Sequence, residues 1–475
     1  MPATLVDWIG AVARAQARRP AVHGDGGLEW SYGELWERAG GIARHLLRER
    51  GLRPGDRVGL VGANEPAYLA AYFGVMRAGA VVVPLNAMLD VAEMRDQLAH
   101  VGAVAAIAGD AGADVGEGLA AWSLRELPNH GAGPLPQPLP GDPACIFLTS
   151  GSTGRPKGVV HSQGALLHMA LLLASALPFG PEERSIAFLP FFAAAEQLFP
   201  VLCTGGSLDV LPGFDPERIA RAARHATSFD AVPTVMARLL DQAPLEDLAR
   251  LRWVSFASEP MPASLLRRWW DALPGVATHQ FYGMTECVPV TLASDRLQRE
   301  EPTTIGIPFP TTRLSATGGE LVFHSPAQML GYFGAEALGA GADIRTGDLG
   351  RIDERGRVFL TGRLKDLIIS GGLNIAPAEI EAVACEHPGV VSAVVVGIPD
   401  DRWGETPVVV AVPARGNGVA ARDVLQHCRR ELTSFKRPSA AALVDVLPST
   451  GIGKSAKAVI RRQILDGEIE LVRAD

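Results

Sequence analysis

Residues 144–158 read ACIFLTSGSTGRPKG, a short apolar run followed at once by hydroxyl side chains, glycines and one lysine. The apolar run predicts a buried β-strand, and the change of composition after Leu148 predicts that a loop begins there. Glycines let backbone N–H groups turn inward, and together with Lys157 they form a cradle suited to polyphosphate. The pattern differs from a P-loop because Pro156 precedes the lysine, and a plain surface loop is the alternative.

Helices and strands alternate on both sides of this loop. Upstream, residues 57–61 and 80–84 are strand-like apolar runs, and the apolar spacing between them predicts a helix from about 65 to 78. Downstream, similar runs predict strands at 207–211, 228–232, 253–257 and 278–281. Such alternation implies parallel sheets with helices on their faces, so we predict an α/β fold.

The character of the sequence changes twice more along the chain. Short strand-like runs and turns dominate after residue 303, which predicts a β-rich subdomain. Beyond Arg363, a smaller unit mixes strand-like and helical segments and predicts a separate α+β domain. We therefore expect a large N-terminal domain of stacked α/β sheets plus the β-rich subdomain at 1–364, and a small mobile C-terminal domain at 365–475.

Length and composition exclude several classes of protein. A chain of 475 residues exceeds what one hydrophobic core usually supports, so more than one domain is expected. Hydrophobic residues make up 47% and charged residues 20%, which is typical of a globular protein. The formal net charge of -8 provides no basic surface for a nucleic-acid backbone, so no nucleic-acid partner is expected. The longest apolar stretch, residues 164–180, is shorter than the ~20 residues of a membrane span.

The sequence favours a cytoplasmic location. Its first residues lack the basic and apolar regions of a signal peptide. The 5 cysteines are far apart and form no CxxC pair, so neither a disulfide framework nor a zinc site is expected.

Lysine is scarce in this chain. The 44 basic residues include only five lysines, which are Lys157, Lys365, Lys436, Lys454 and Lys457. Because arginine supplies the general surface charge, each of the few lysines is a candidate for a role that needs a compact and flexible ammonium group.

Five further motifs occur in order along the chain. They are FYGMTE at 281–286, RTGD at 345–348, GRLKD at 362–366, SGGLNI at 370–375 and PSTGIGK at 448–454. Together with the loop at 149–158, these motifs resemble those of the adenylate-forming acid ligases, which include acyl-CoA synthetases, luciferases and peptide-synthetase adenylation domains. The resemblance covers essentially the whole chain. It implies ATP-dependent activation of a carboxylic acid to an acyl-adenylate, release of pyrophosphate, and transfer to a phosphopantetheine thiol.

The resemblance also implies residues for ATP and Mg²⁺. Glu286 is the implied Mg²⁺ ligand, and Thr285 the residue that touches the α-phosphate. Asp348, whose two oxygens suit a vicinal diol, is implied for the ribose, with Arg363 beside it. Lys454 is the implied catalytic cation between the attacking carboxylate and the α-phosphate. An Asx-turn for Asp348 and a surface carboxylate for Glu286 are the alternatives. The other implied nucleotide-binding residues are Thr149, Ser150, Gly151, Ser152, Thr153, Gly154, Lys157, Ser258, Glu259, Pro260, Tyr282 (stacked on adenine) and Gly283.

Lys454 and the phosphate loop lie in different predicted domains, so adenylation requires these domains to close. Lys365 occupies the position of the hinge in the family, and a simple linker lysine is the alternative. The resemblance implies that the small domain then rotates, and that Gly371 and Gly372 form part of a channel for the thiol.

The resemblance further implies a pocket for the acid. Phe192 stands where amino-acid-activating relatives usually carry an aspartate, which disfavours a plain α-amino acid, and Ala193 replaces a histidine of many acyl-CoA synthetases. Glu196 and Asp230 place two carboxylates in an otherwise apolar cavity, where unpaired burial is costly. Their partner is either an amino group of the substrate or an internal residue such as Arg184 or Arg238. The implied lining is Phe192, Ala193, Glu196, Asp230, Ser255, Ala257, Phe281, Pro289 and Val290.

The acceptor stays open at this point, because CoA and an acyl carrier protein present the same thiol. The main expectation is transfer of a small aryl, short acyl or amino-substituted acid to CoA. The alternative is a stand-alone adenylation enzyme that loads a β-amino or aminoaryl acid onto a carrier protein. A catalytically inactive nucleotide-binding regulator is the alternative of another class, and the presence of both Glu286 and Lys454 argues against it.

Overall fold

A computed structural model describes residues 2–49, 51–110, 115–116, 119–149, 156–339, 341–414, 418–448 and 457–474 of the chain. Several predicted site residues lie outside these described residues; they are Ser150, Gly151, Ser152, Thr153, Gly154 and Lys454.

Side chains of the local sequence set many of the helix boundaries. Thr4, Asp90, Ser162, Asp215 and Ser294 each precede a helix and accept a hydrogen bond from a backbone N–H of its first turn. The helices are α1 (Leu5–Ala15), α2 (Tyr32–Glu49), α3 (Pro66–Arg77), α4 (Val91–His100), α5 (Gln163–Ala176), α6 (Ala195–Thr204), α7 (Pro216–Ala223), α8 (Pro233–Gln242), α9 (Leu245–Leu248), α10 (Ala263–Ala272), α11 (Asp295–Glu300), α12 (Pro377–Glu386), α13 (Ala421–Glu431) and α14 (Lys457–Leu465).

The strands before residue 364 are short and mostly buried. They are β1 (Pro20–His23), β2 (Glu29–Ser31), β3 (Arg57–Val61), β4 (Val81–Pro84), β5 (Ala105–Ala108), β6 (Ala120–Ser123), β7 (Pro143–Thr149), β8 (Lys157–Ser162), β9 (Arg184–Ala187), β10 (Ser207–Val210), β11 (Ser228–Ala231), β12 (Trp253–Phe256), β13 (Ala277–Met284), β14 (Cys287–Ala293), β15 (Ile307–Pro308), β16 (Arg313–Thr317), β17 (Glu320–His324), β18 (Gly331–Tyr332), β19 (Ile344–Ile352) and β20 (Val358–Arg363).

These strands form three sheets within the described residues. The N-terminal sheet has the order β18-β8-β7-β4-β3-β5-β6, and its strands from β7 to β6 are parallel. The central sheet has the order β15-β14-β13-β12-β11-β9-β10-β1-β2 and is parallel from β13 to β1. The β-rich sheet, with the order β16-β17-β19-β20, is antiparallel. The parallel sheets follow from the βαβ alternation of the sequence.

The chain after residue 366 forms a fourth sheet, the C-terminal sheet. Its order is β22-β21-β24-β25-β26, and a further strand, β23, pairs with β24. Its strands are β21 (Ile368–Ser370), β22 (Leu373–Ile375), β23 (Val390–Asp400), β24 (Gly404–Pro413), β25 (Ala440–Leu443) and β26 (Val472–Arg473). The mixed α/β class with a large N-terminal part and a smaller C-terminal part is confirmed. The boundary after Leu364 falls in a 3₁₀ turn, Leu364–Asp366, and the exact division of the chain stays a prediction.

The central sheet separates two apolar layers. Phe229, Val254 and Phe256 point to one face and pack with Met236 and Trp269 from α8 and α10. The alternate residues of the same strands point to the opposite face, toward α5 and α6. This second face carries the predicted acid pocket.

One strand next to the site is absent from the sequence-based expectations. The pattern predicts a strand only at 278–281, whereas β13 continues to Met284 and pairs antiparallel with β14. Pro289 argues against a strand in the sequence, because proline cannot donate a ladder hydrogen bond. It is tolerated here because the pairing of β14 with β15 involves only Thr291 and Leu292.

Candidate functional site

The hairpin of β13 and β14 positions Thr285 and Glu286. Met284 pairs with Cys287, so Thr285 and Glu286 form the tip between the two strands. The backbone oxygen of Glu286 accepts a hydrogen bond of 2.8 Å from Met329 N. The Thr-Glu pair of the FYGMTE motif is therefore held by its own hairpin and by the segment that leads to β18.

A tyrosine that the sequence analysis missed contacts both charged groups of this region. The Tyr332 hydroxyl donates a hydrogen bond of 2.7 Å to Glu286 Oε1. Lys157 Nζ lies 5.0 Å from the centre of the Tyr332 ring, within cation–π range. Burial, and then the hydrogen bond to Glu286, raise the pKa of Tyr332, so it stays a donor. The sequence signal for it was weak, because β18 has only two residues.

A histidine on β8 contacts the other residue of the hairpin tip. His161 Nε2 lies 2.7 Å from the backbone oxygen of Thr285. Burial lowers the pKa of His161 to about 4, so the ring is neutral near pH 7 and its Nε2 carries the proton that it donates. Lys157 and His161 share one face of β8, since side chains alternate along a strand. One strand thus reaches both Thr285 and, through Tyr332, Glu286.

The predicted ribose residue lies in a second polar cluster. Asp348 is 4% exposed; its Oδ2 accepts a hydrogen bond of 2.7 Å from the Tyr282 hydroxyl, and its Oδ1 lies 2.6 Å from Arg363 Nε. Asp348 pairs with Arg363 across β19 and β20, which explains their proximity. Burial, and then Asp348, raise the pKa of Tyr282. The structure thus brings together three residues from separate motifs.

The predicted nucleotide segment follows the carboxyl end of β12. Ser258 is exposed and has a φ of 73°, a left-handed conformation that costs a non-glycine residue energy. Glu259 accepts hydrogen bonds of 3.2 Å from both the backbone N and the hydroxyl of Thr234, at the start of α8. Pro260 is exposed beside them. In open α/β sheets, ligands bind outside the carboxyl ends of the strands, and this segment lies there.

The two predicted pocket carboxylates come together on the face of the central sheet that packs against α6. Asp230 is 5% exposed and its Oδ1 accepts a hydrogen bond from the Ser255 hydroxyl, while no described residue bonds its buried Oδ2. Burial, followed by repulsion from Glu196 and Glu183, raises the pKa of Asp230 well above its usual value. Burial raises the pKa of Glu196 to about 7.

The two arginines suggested as internal partners of these carboxylates contact other residues instead. Arg184 pairs with Asp209 at 2.8 Å. Arg238 lies over the Phe214 ring, 4.1 Å from its centre. Each arginine therefore has another partner.

The other predicted pocket residues differ in exposure. Ser255, Phe281, Pro289 and Val290 are buried, Phe192 and Ala257 are partly buried, and Ala193 is exposed. His279, absent from the predicted set, is in register with Ser255 on the neighbouring strand. Its side chain therefore shares the face of Asp230 and Ser255. The alternation from Phe281 back to His279 was the signal that could have found it.

The predicted hinge and channel residues lie on either side of β21. Lys365 is exposed in the 3₁₀ turn Leu364–Asp366. Gly371 and Gly372 form the two-residue turn between β21 and β22 with φ values of 57° and 80°, a geometry that favours glycine. Gly371 N also donates a hydrogen bond of 2.7 Å to Trp403 O. The roles of all three residues stay predictions.

Two of the scarce lysines have structural partners. Lys436 Nζ lies 2.6 Å from Glu379, and Lys457 Nζ lies 2.8 Å from Glu381, both on α12. Scarcity alone therefore does not mark a lysine of this chain as functional.

The described ranges contain neither a metal-holding cluster of side chains nor a membrane-spanning helix. In the described ranges, no group of three His, Cys, Asp or Glu side chains is arranged to hold a metal ion. No described helix is long and apolar enough to cross a bilayer.

Comparison with known proteins gives matches along most of the chain. The family model described as AMP-binding enzyme matches residues 10–333, and that of the AMP-binding enzyme C-terminal domain matches 379–454. A feruloyl-CoA synthase from Amycolatopsis sp is 36% identical, with 97% of this chain and 99% of the relative covered. A sulfoacetate–CoA ligase from Cupriavidus necator is 32% identical, with 90% and 92% covered.

Solved structures match over similar lengths. ATP-bound MatB from Rhodopseudomonas palustris has a TM-score of 0.88 at 30% identity, with 98% of this chain and 99% of that chain covered. The o-succinylbenzoate CoA synthetase MenE from Bacillus subtilis, in complex with its acyl-adenylate intermediate, has a TM-score of 0.86 at 26% identity, with 96% and 97% covered.

Proposed function

Because the chain belongs to the AMP-binding enzyme family and is an AMP-forming acid–thiol ligase, we propose that it activates a small carboxylic acid with ATP and transfers the acyl group to CoA. The family resemblance of the sequence motifs is thereby confirmed. The observation that carries the proposal is the convergence of two polar clusters on the strand β13 and its hairpin tip. Tyr282 contacts Asp348 there, and Glu286 contacts Tyr332, whose ring lies beside Lys157.

The proposed first step forms an acyl-adenylate. A carboxylate oxygen of the acid attacks the α-phosphorus of ATP, and the bond to the β-phosphate oxygen breaks to release pyrophosphate. Asp348, held by Tyr282 and Arg363, accepts hydrogen bonds from the ribose hydroxyls. The Thr285 hydroxyl donates a hydrogen bond to the α-phosphate. Lys454 provides the cation between the two anionic reactants and reduces their repulsion.

Polyphosphate and Mg²⁺ are proposed to bind between β8 and the hairpin tip. Lys157, with Thr149 and the loop between them, holds the β- and γ-phosphates. The residues fit Mg²⁺, which commonly uses one or two carboxylates together with substrate phosphates instead of an all-protein cage. Glu286, fixed through Oε1 by Tyr332, is the proposed ligand. The metal supplies neutralisation of phosphate charge when bound.

The proposed second step transfers the acyl group to a thiol. The small domain turns at Lys365, and the thiolate sulfur of CoA attacks the acyl carbonyl carbon, so that a carbon–sulfur bond forms and AMP leaves. Gly371 and Gly372, whose turn presents backbone without side chains, line the proposed thiol path. The relatives named feruloyl-CoA synthase and sulfoacetate–CoA ligase support CoA as the acceptor.

The finer substrate class follows from the two pocket carboxylates. Asp230 presents a buried oxygen without a partner in the described part of the chain, and Glu196 adds a second acid nearby. A cationic amino group on the acid, away from its α-carbon, would satisfy both. This observation favours an amino-bearing acid, such as a β-amino or aminoaryl acid. The same class of acid is the substrate in the second candidate function, in which the enzyme loads the acid onto an acyl carrier protein.

Thioester formation with a panel of acids tests the proposal. ATP and CoA are incubated with aryl, short aliphatic, β-amino and aminoaryl acids, and the acyl-CoA is measured by mass. An amino-bearing substrate is supported if wild type prefers amino-bearing acids and Asp230→Asn loses this preference. Wild type and variant should then use uncharged acids equally well. Acyl transfer to a phosphopantetheinyl carrier protein without transfer to CoA favours the second candidate.

A further inference from the structure

Tyr332 stands between two groups of opposite charge. Its hydroxyl contacts Glu286 Oε1 at 2.7 Å, and the centre of its ring lies 5.0 Å from Lys157 Nζ. Within the described residues, no ion pair joins Lys157 to a carboxylate. The two charged side chains therefore share one neighbour instead of contacting each other.

The position of the tyrosine is fixed by backbone pairing. Tyr332 pairs with Val159 across β18 and β8. On either side, Leu330 N donates to Val160 O and Phe333 N donates to Gly158 O, each at 2.7 Å. These backbone contacts fix the position of the residue, and the hydrogen bond to Glu286 orients its ring.

Without Tyr332 between them, an ammonium and a carboxylate attract each other and can form an ion pair. Such an ion pair would direct Glu286 toward Lys157 and would use up the charge that each offers to a ligand. Tyr332 instead gives each group its own contact. The ring face attracts the ammonium, and the hydroxyl donates to the carboxylate.

We propose that Tyr332 is a positioning residue that keeps Lys157 and Glu286 apart, so that together they bind the magnesium complex of a nucleoside triphosphate. The ammonium is kept for phosphate oxygens and the second carboxylate oxygen for the metal. This inference rests on the proposed function, because it requires ATP and Mg²⁺ to bind there.

Nucleotide binding with and without metal tests this role directly. Titration calorimetry measures the affinity of wild type and Tyr332→Phe for an ATP analogue with a methylene group between the α- and β-phosphates, once in Mg²⁺ and once in EDTA. The variant keeps the ring over Lys157 and loses only the hydroxyl. The expected result is roughly tenfold weaker binding in Mg²⁺, as for loss of an outer-shell partner, with binding in EDTA changed less than about twofold.

A second variant separates positioning from general damage. If Lys157 captures Glu286 in Tyr332→Phe, removal of the ammonium frees the carboxylate. The affinity increase that Mg²⁺ causes is measured as the dissociation constant in EDTA divided by that in Mg²⁺. This ratio should return to the wild-type value when Tyr332→Phe is combined with Lys157→Met. Tyr68→Phe is the matched control, because the buried Tyr68 hydroxyl has no partner among the described residues.

The outcomes discriminate between the inference and the proposed function. Equal weakening in both buffers, an unchanged affinity in Mg²⁺, or no recovery in the double variant would overturn the role of Tyr332. Failure of the wild-type protein to bind the analogue in either buffer would instead overturn the proposed function.

Discussion

The Tyr282 hydroxyl donates a hydrogen bond of 2.7 Å to Oδ2 of Asp348. This contact joins the central sheet to the β-rich sheet, because Tyr282 lies on β13 and Asp348 on β19. Arg363 contacts the other carboxylate oxygen from β20. Two donors from different strands thus hold one buried carboxylate in a single orientation, as a site for a diol requires.

Asp348→Asn is expected to weaken ATP binding. The asparagine amide keeps the shape of the aspartate side chain but carries no charge. Its NH₂ group would also face one of the two donors, Tyr282 or Arg363, and could not accept a hydrogen bond from it. Loss of a charge-assisted contact of about 1.5–3 kcal/mol predicts a roughly 10- to 100-fold increase in the KM for ATP. Pyrophosphate exchange at varied ATP checks it. Asp343→Asn, which removes only the exposed ion pair with Arg313, is the control. An unchanged KM in Asp348→Asn would contradict the ribose role.

Glu196→Gln is expected to make the protein more stable at alkaline pH. The Glu196 carboxyl releases its proton near pH 4.5 in the unfolded chain but only near pH 7 in the folded chain. The free energy of unfolding therefore falls as the pH rises between these two values. The amide removes that loss. The free energy of unfolding should therefore rise by up to about 3 kcal/mol at about pH 8 and stay nearly unchanged at about pH 4. Urea denaturation at both pH values measures it.

The control for this prediction is an exposed carboxylate. Glu336→Gln should change the free energy of unfolding by less than about 0.5 kcal/mol at either pH. A Glu196→Gln variant less stable than wild type at about pH 8 would indicate that Glu196 has a cationic partner in the folded protein.

The sequence predicted most of the regular structure near the site. The strand at 57–61 has the expected bounds, because its apolar pattern matches the buried sheet that it joins. The family resemblance placed Arg363 beside Asp348, but the contact of Tyr282 with Asp348 lay beyond sequence reasoning, which assigned Tyr282 to the adenine. Contacts between distant strands depend on register, which no single motif encodes.

Two parts of the site show why the remainder was missed. Tyr332 acts from a two-residue strand that is too short for a periodic pattern. Charge alone made the arginines suggested for Asp230 and Glu196 plausible. Arg184, however, is in register with Ser207 on the neighbouring strand and forms an ion pair with Asp209 instead. Partner choice of this kind is decided by three-dimensional distance.

Gly371→Ala is expected to destabilise the C-terminal sheet more than Gly372→Ala does. Both glycines have positive φ, so each substitution costs about 1–2 kcal/mol of backbone energy. A Cβ on Gly371 would also lie 2.8 Å from the Trp403 ring, whereas one on Gly372 meets open space. Thermal unfolding of the two variants compares them. Equal losses would show that the Trp403 contact is absent in solution.

Lys365→Pro is expected to slow thioester formation and leave adenylation largely intact. Proline restricts φ at the proposed pivot, so the small domain cannot complete its rotation. Acyl-CoA formation from the preformed adenylate should fall roughly tenfold or more, with pyrophosphate exchange within about threefold of wild type. Thioester formation at the wild-type rate would count against the hinge.

Lys454→Ala is expected to show the opposite split. Removal of the cation should largely abolish pyrophosphate exchange, because the repulsion between the two anionic reactants is no longer reduced. Transfer from a preformed acyl-adenylate to CoA should be affected far less. Equal losses in the two half-reactions would contradict the assignment of Lys454 to adenylation.

Acid-dependent exchange of labelled pyrophosphate into ATP, measured without any thiol, is the decisive measurement for acyl-adenylate formation. We predict exchange with at least one small carboxylic acid and its near-complete loss in Glu286→Ala. Release of ADP and phosphate with that acid, without pyrophosphate exchange, would contradict the proposed acyl-adenylate.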